Sequence, residues 1–254
     1  MKTSGNTILI TGGGSGIGAA LAQRFHAAGN RVIVAGRRQD ALDAVVAGRE
    51  GMFAMTLDVE SAEGVEDFAR RVMQAHPELN VLINNAGIMR FEDLAARRDL
   101  ADAEATITTN LLGPIRLSNA LIDHLAAQAD AAIVNVTSGL AYVPLVDTPT
   151  YNATKAAIHS YTVSLREALK GKVDVIELVP PAVQTGLTPG QENRSGYMPL
   201  DDFIDEVMAL FGQSPTPGEI LVERVKFLRD AEGERRFDAT LAQLNDFARK
   251  AREG

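Results

Sequence analysis

The chain contains no cysteine. Disulfides, thiolate nucleophiles and cysteine-ligated metals are therefore excluded. Its four histidines are widely separated and never fall in an H-x-x-x-H spacing, so no metal site is expected. No stretch approaches the roughly 20 consecutive apolar residues a membrane helix needs. The first apolar run, residues 7–11, ends at once in glycines. That is not the pattern of a cleavable signal, and a cytoplasmic location is expected. An excess of positive charge is missing too. The formal net charge is −8, and the paired arginines Arg37/Arg38, Arg97/Arg98 and Arg235/Arg236 are too scattered to make a stripe. Neither nucleic acid nor an anionic membrane is an expected partner.

What is present is ordinary globular composition, 46% hydrophobic and 23% charged over 254 residues. One α/β domain spanning the chain is the simplest reading, without repeat, low-complexity tract or linker. Residues 7–11 read as a first buried strand, followed directly by Gly12-Gly13-Gly14-Ser15-Gly16-Ile17-Gly18 and then by helical composition over residues 19–28. Strand, glycine loop, helix is the context in which glycines serve phosphates. They permit a tight turn, bring backbone N–H groups close to a pyrophosphate and aim a helix N-terminus at it. Gly12, Ser15, Gly16, Ile17 and Gly18 are the candidate residues of that dinucleotide turn.

A second strand, residues 31–35, ends at Gly36-Arg37-Arg38. An acid there would accept from an adenosine ribose, whereas arginine suits a 2′-phosphate. The acid is absent at this point and two arginines are present, which favours NADP(H) over NAD(H), with Ser15 as an extra donor. A third strand is expected at residues 52–57 and a helix at 61–76 with a Ser61 cap. A fourth strand at 81–83 runs into Asn84-Asn85-Ala86-Gly87, whose adjacent amides suit tying strand ends together. Helix is expected from about residue 98 to 127, interrupted at Gly113-Pro114, where proline frees a carbonyl near Asn110 that suits a water.

Residues 131–136 form the next apolar, β-branched run and leave Ser138 at a strand's C-terminal end, the edge at which open α/β sheets bind ligands. Thr148-Pro149 reads as an N-cap with proline at the first helical position. Tyr151 and Lys155, four apart, then leave the same helix face. A nearby ammonium favours the ionised phenol, so Lys155 is expected to bring Tyr151 toward neutrality as a general acid/base. Ser138 is placed to hydrogen-bond the same substrate oxygen. A sixth strand at 173–179 ends at Pro180-Pro181, and residues 182–218 make a substrate-loop region. Residues 201–210 and 219–228 look helical, and 230–254 form a C-terminal helix or arm. Met89, Phe91, Leu140, Tyr142, Val143, Val183, Leu187 and Met198 are candidates for an apolar pocket wall, with Arg90 and Arg194 as exposed cations beside it.

Alternating strands and helices give a doubly wound, Rossmann-type parallel sheet of six or seven strands flanked by helices on both faces. Over roughly the first 185 residues the chain resembles the classical short-chain dehydrogenases/reductases. The resemblance rests on Thr11, Gly12, Gly16 and Gly18, on Asn84 to Gly87, on Asn110, on Ser138 and on Tyr151 with Lys155. It implies Asn110, Ser138, Tyr151 and Lys155 as the catalytic set, with Lys155 also holding the nicotinamide ribose and Asn110 keeping a water. It further implies Asp58 and Val59 at the adenine, Asn85, Ala86 and Gly87 along the adenosine, and Pro181, Val183 and Thr185 at the nicotinamide amide and phosphates. Pro180-Pro181-Ala182-Val183, with Ser138-Gly139-Leu140-Ala141, is similar to the DltE-like subgroup. The family's closing Thr-Gly-x-x-x-x-Val-Asp-Gly-Gly strand is not found, which puts the usual tetramer in doubt and leaves a homodimer through the Asn110 and Tyr151 helices as the expected assembly.

The activity this implies is NADP(H)-dependent hydride transfer with a small carbonyl or alcohol substrate that has an apolar part. A non-catalytic NADP(H)-binding redox sensor is the alternative.

Overall fold

Seven short runs dominated by aliphatic residues form one sheet in a computed structural model that describes residues 1–253. The strands are β1 (Thr7–Thr11), β2 (Arg31–Gly36), β3 (Met52–Thr56), β4 (Val81–Asn84), β5 (Ala132–Val136), β6 (Asp174–Val179) and β7 (Glu219–Leu221). Their order is β3-β2-β1-β4-β5-β6-β7, and every pairing is parallel. Parallel strands need long crossovers, and helices supply them: α1 (Gly16–Ala27), α2 (Gln39–Val46), α3 (Ala62–Ala75), α4 (Ala101–Ile107), α5 (Gly113–Ala126), α6 (Pro149–Ala168), α7 (Leu200–Phe211), α8 (Glu223–Arg229) and α9 (Phe237–Glu253).

Side chains alternate across each strand, and both faces are covered, so the strands read as continuous apolar runs. Ile8, Ile10, Val32, Val34, Val81 and Ile83 enter one core with Leu21 and Phe25 of α1 and Phe203 of α7. Leu9, Ile33 and Leu82 enter the other, against Phe68 of α3 and Leu117 and Leu121 of α5. The direction of winding reverses between β1 and β4, and the C-terminal ends of those strands open a crevice there.

Two expectations are corrected. The segment read as helical from residue 219 starts as an edge strand, the seventh of the six or seven expected: Glu219, Ile220 and Leu221 pair in parallel with Glu177, Leu178 and Val179, and α8 begins only at Glu223. The expected break at Gly113-Pro114 lies one turn earlier. Residues Thr108–Leu112 form a π-helical turn between α4 and α5, and the helix runs on through Pro114 near the start of α5, which offers no N–H to the turn behind it. The wider turn carries Asn110, in keeping with the tendency of π-bulges to sit at functional sites.

Candidate active site

The glycine turn is built by close approach. Gly12 has φ +66 and Gly16 φ +52, the left-handed region that only glycine adopts without strain. A Cβ on Gly18 would lie 2.4 Å from the Gly12 carbonyl oxygen and 2.5 Å from Asn85 Nδ2. Gly18→Ala gains about 1 kcal/mol of helix propensity and loses more to the clash, since overpacking costs about 1–3 kcal/mol or more. A melting temperature lowered by several degrees is the expected result of a thermal scan. Below the turn, Thr11 Oγ1 accepts from the N–H groups of Asn85 and Ala86, both at 3.0 Å, and Asn85 Nδ2 donates to the Thr11 carbonyl at 2.9 Å. Asn84 Nδ2 reaches Asn135 Oδ1 at 2.9 Å on the next strand. The adjacent amides do tie the strand ends together, as their chemistry suggested.

Ser138 follows β5 and caps a 3-10 turn, Gly139–Ala141, through its Oγ, which accepts from Leu140 N at 3.1 Å. Tyr151 lies in the first turn of α6, where Pro149 is helical position one. Thr148 occupies the N-cap without making a side-chain capping bond. The acceptor comes from elsewhere in sequence: Glu92 takes Thr150 N at 3.1 Å and Thr150 Oγ1 at 2.8 Å, and Arg98 holds it at 2.7 Å. A carboxylate at a helix N-terminus suits the macrodipole, and this one fixes the direction in which Tyr151 enters the site.

Tyr151 is 7% and Lys155 5% exposed. Burial pushes the Tyr151 phenol up to about 12, and its hydrogen bond with Ser138 works in the opposite sense without overcoming it. Burial alone brings Lys155 down to about 8. The expected lowering of the phenol by Lys155 is therefore not what the site shows. The ammonium nitrogen stands 5.6 Å from the tyrosine ring centroid and donates to the Val136 carbonyl at 2.8 Å, and desolvation dominates both groups. Asn110 is committed to Ile88, accepting from its N–H and donating to its carbonyl, each at 2.8 Å. Its Oδ1 would lie 3.3 Å from a Cβ on Gly87, and Lys155 Nζ 3.7 Å. Asn110, Gly87 and Lys155 thus meet at one point.

One cavity of about 400 Å³ joins these parts: the turn at Gly12, Ser15, Gly16 and Ile17, the Asn85–Gly87 edge, and Ser138, Tyr151 and Lys155, with Pro181, Val183 and Thr185 closing it. A second of about 200 Å³ continues past the turn between Arg37, Arg38, Val59 and Ala86. Gly18 supports the turn from beneath and does not line either cavity. Asp58 is not part of either lining; it is exposed and its carboxylate accepts from Glu60 N at 3.0 Å in a turn. The acid that does line the second cavity is Glu60, which lies 3.2 Å from Arg37 and accepts from Thr109 Oγ1 at 2.9 Å. Sequence inspection at the end of β2 could not find it, because it comes from the end of β3. No ion pair or hydrogen bond among the described residues engages the Arg38 side chain.

Of the apolar wall candidates, Val183 and Leu187 line the main cavity. Val143 is buried in a separate small core, and Met198 pairs across from Val183. Tyr142 turns away to Glu177, and Phe91 faces a shallow surface depression beside Leu94 and Val146. Arg90 lies 3.4 Å from Asp102 at the surface, and Arg194 is held by Tyr197 and the Pro189 carbonyl.

A sheet whose switch point brings a glycine turn and a Ser–Tyr–Lys set into one cavity defines a nucleotide-dependent oxidoreductase of the α/β class. The model of the short chain dehydrogenases matches residues 6–195, and the chain belongs to that family. An uncharacterised oxidoreductase named DltE, from Bacillus subtilis (strain 168), is 38% identical over 249 residues, covering 96% of this chain and 98% of that one. Two solved structures share the fold. An alcohol dehydrogenase from Thermococcus sibiricus, complexed with 5-hydroxy-NADP, is 27% identical with a TM-score of 0.74, covering 82% of this chain and 91% of that one. A 3-ketoacyl-(acyl-carrier-protein) reductase from Brucella melitensis, complexed with NADH, is 25% identical with a TM-score of 0.76, covering 86% and 96%. No helix among the described residues is long and apolar enough to cross a membrane.

Proposed function

We propose that the chain is an NADP(H)-dependent oxidoreductase that moves a hydride between nicotinamide and a carbonyl or secondary alcohol, with Tyr151 as general acid and base. The observation that carries this reading is the single cavity of about 400 Å³ shared by the glycine turn and the Ser138, Tyr151 and Lys155 side chains. The residues fit a dinucleotide. Glycines stand where a Cβ would collide, and the N-terminus of α1, with no acid in its first turn, faces the space for a pyrophosphate. The bound nicotinamide supplies or accepts the hydride.

The chain's own residues do the rest. Tyr151 gives its proton to the carbonyl oxygen in reduction and takes it back in oxidation. Ser138 donates to the same oxygen as charge develops there. Lys155 would hold the nicotinamide ribose and brings its charge to within 5.6 Å of the Tyr151 ring centroid. Asn110 keeps Gly87 and Ile88 in place and holds the water that links Lys155 to solvent. Val183, Leu187 and the prolines after β6 favour a substrate with an apolar part, and within residues 182–218 the segment ahead of α7 supplies its loop. Exposed apolar residues along α4 to α6, Ile107, Leu112 and Val163, support a homodimer through these helices, with a tetramer as the other arrangement.

Arg38, left without a partner beside the second cavity, supports the preference for a 2′-phosphate, while Glu60 competes for Arg37. A charged hydrogen bond is worth about 1.5–3 kcal/mol. Arg38→Ala is therefore expected to weaken NADP binding roughly 10- to 100-fold and to leave NAD binding unchanged, read by titrating both cofactors. Equal weakening of both, or of neither, would overturn the preference. Against the sensor alternative stands the completeness of the Ser138–Tyr151–Lys155 set. A panel of alcohols and ketones followed by nicotinamide absorbance separates the two, and tight binding without any turnover would favour the sensor.

A further inference from the structure

Glu177 occupies the middle of β6, on the face that packs against α6, and its side chain is completely buried. Its cross-strand neighbour on β7 is another acid, Glu219. Two carboxylates side by side in a sheet repel, and a buried one is costly unless it is fully paired. Each has its own partners. Glu219 is gripped by both guanidinium arms of Arg229 at 3.1 Å. Glu177 Oε1 accepts from Thr137 Oγ1 at 2.7 Å and from Tyr142 OH at 3.1 Å, and Oε2 lies 2.8 Å from His159 Nδ1. Arg229 stacks 4.7 Å above the Tyr142 ring. Burial, and after it the Glu177 charge, push the Tyr142 phenol well up, which keeps it a neutral donor.

The three donors to Glu177 come from revealing places. Thr137 immediately precedes Ser138. Tyr142 closes the 3-10 turn that Ser138 caps. His159 follows Lys155 by one turn of α6 and Tyr151 by two. Resting on the functional reading above, we propose that Glu177 is a positioning residue: its carboxylate locks the serine turn to the helix bearing the tyrosine and lysine, and so sets the distance between the proton donor and the second hydrogen-bond donor. A buried carboxylate held by hydrogen bonds adds little net stability over apolar packing; its effect here is on geometry. His159, Glu177 and Glu219 also bring ligand-type atoms within 4.8 Å of one another. Because Glu177, Glu219 and His159 Nδ1 are already engaged as described, the set is read as a hydrogen-bond network beside the Arg229–Glu219 ion pair and not as a cation site.

The test compares Glu177→Gln, Thr137→Val and Thr137→Ser with the unaltered chain. With a substrate from the panel, Glu177→Gln and Thr137→Val are expected to lower kcat about 10- to 100-fold, the scale of an ångström of misplacement, with the cofactor KM within about twofold. Thr137→Ser, which restores the hydroxyl, should recover most of the loss. Amide hydrogen exchange is expected to quicken in residues 138–143 and 150–160 together in Glu177→Gln. Folded variants that lose melting temperature but keep kcat would show a merely structural role and overturn the proposal. If the unaltered chain turns over nothing, the functional reading fails, and the clamp is judged by exchange alone: joint quickening of both segments supports the coupling, and quickening of one or neither refutes it. Should Glu177→Gln not fold, Thr137→Val carries both measurements.

Discussion

Tyr151→Phe is expected to reduce kcat by about a thousandfold, the middle of the range that a positioned acid/base supplies, while binding NADP(H) within about twofold of the unaltered chain. Phenylalanine fills the same buried volume in the first turn of α6, so the helix start held by Glu92 survives. What disappears is the hydroxyl that bonds Ser138 and carries the proton. Steady-state turnover beside cofactor titration reads the two quantities separately. Near-normal turnover in this variant would sink the mechanism. With the phenol near 12, Tyr151 stays protonated across the ordinary pH range and the reductive direction always finds its acid in place.

The second large effect is on Lys155. Its folded value of about 8 lies below the ordinary 10.5, so the unfolded chain binds the extra proton more tightly and the buried charge opposes folding. That opposition is full below pH 8 and fades as pH rises from 8 to 10.5. A shift of this size corresponds to about 3 kcal/mol, and orphaning the Val136 carbonyl, which now accepts from Lys155 at 2.8 Å, returns about 1 kcal/mol of it. Lys155→Met is thus expected to be about 2 kcal/mol more stable at pH 7, a melting temperature several degrees higher, and catalytically dead. The gain should shrink toward pH 10.5. In the unaltered chain, turnover should fall above about pH 8 as the same proton leaves. A variant that melts lower at pH 7, or a gain that does not change with pH, would contradict the account. This is the trade of stability for activity expected where a site demands an uncomfortable group.

Much of the architecture was legible in residue order. Strands β1, β2, β4, β5 and β6 announce themselves as apolar runs because both sheet faces are covered, and the glycine turn, Asn84-Asn85 and the Tyr151–Lys155 spacing are local patterns. The misses share one cause: partners distant in sequence. β7 is three residues with acid at its start, and only pairing with β6 makes it a strand. The cap on α6 comes from Glu92, 58 residues away, and the carboxylate beside Arg37 from Glu60, 23 away. Glu177 reads as an unremarkable polar position until His159 and Tyr142 are brought to it. The net shift of Tyr151 runs opposite to the expected one for a related reason. Spacing places a cation near a phenol, but the water excluded from both is a property of the whole fold.

The helix at Phe237–Glu253 backs the serine turn from outside the nucleotide-binding half. Phe237, Leu241 and Leu244 pack on Leu140 and Val143, just past the Ser138 turn, and Asn245 accepts from Val146 N at 2.8 Å while donating to the Pro144 carbonyl. The serine turn thus leans on a segment about a hundred residues further along the chain, with Leu228 and Ala231 completing the same cluster. Removing this helix would therefore uncover the apolar underside of the Ser138 turn while taking away no residue that lines the nucleotide cavity.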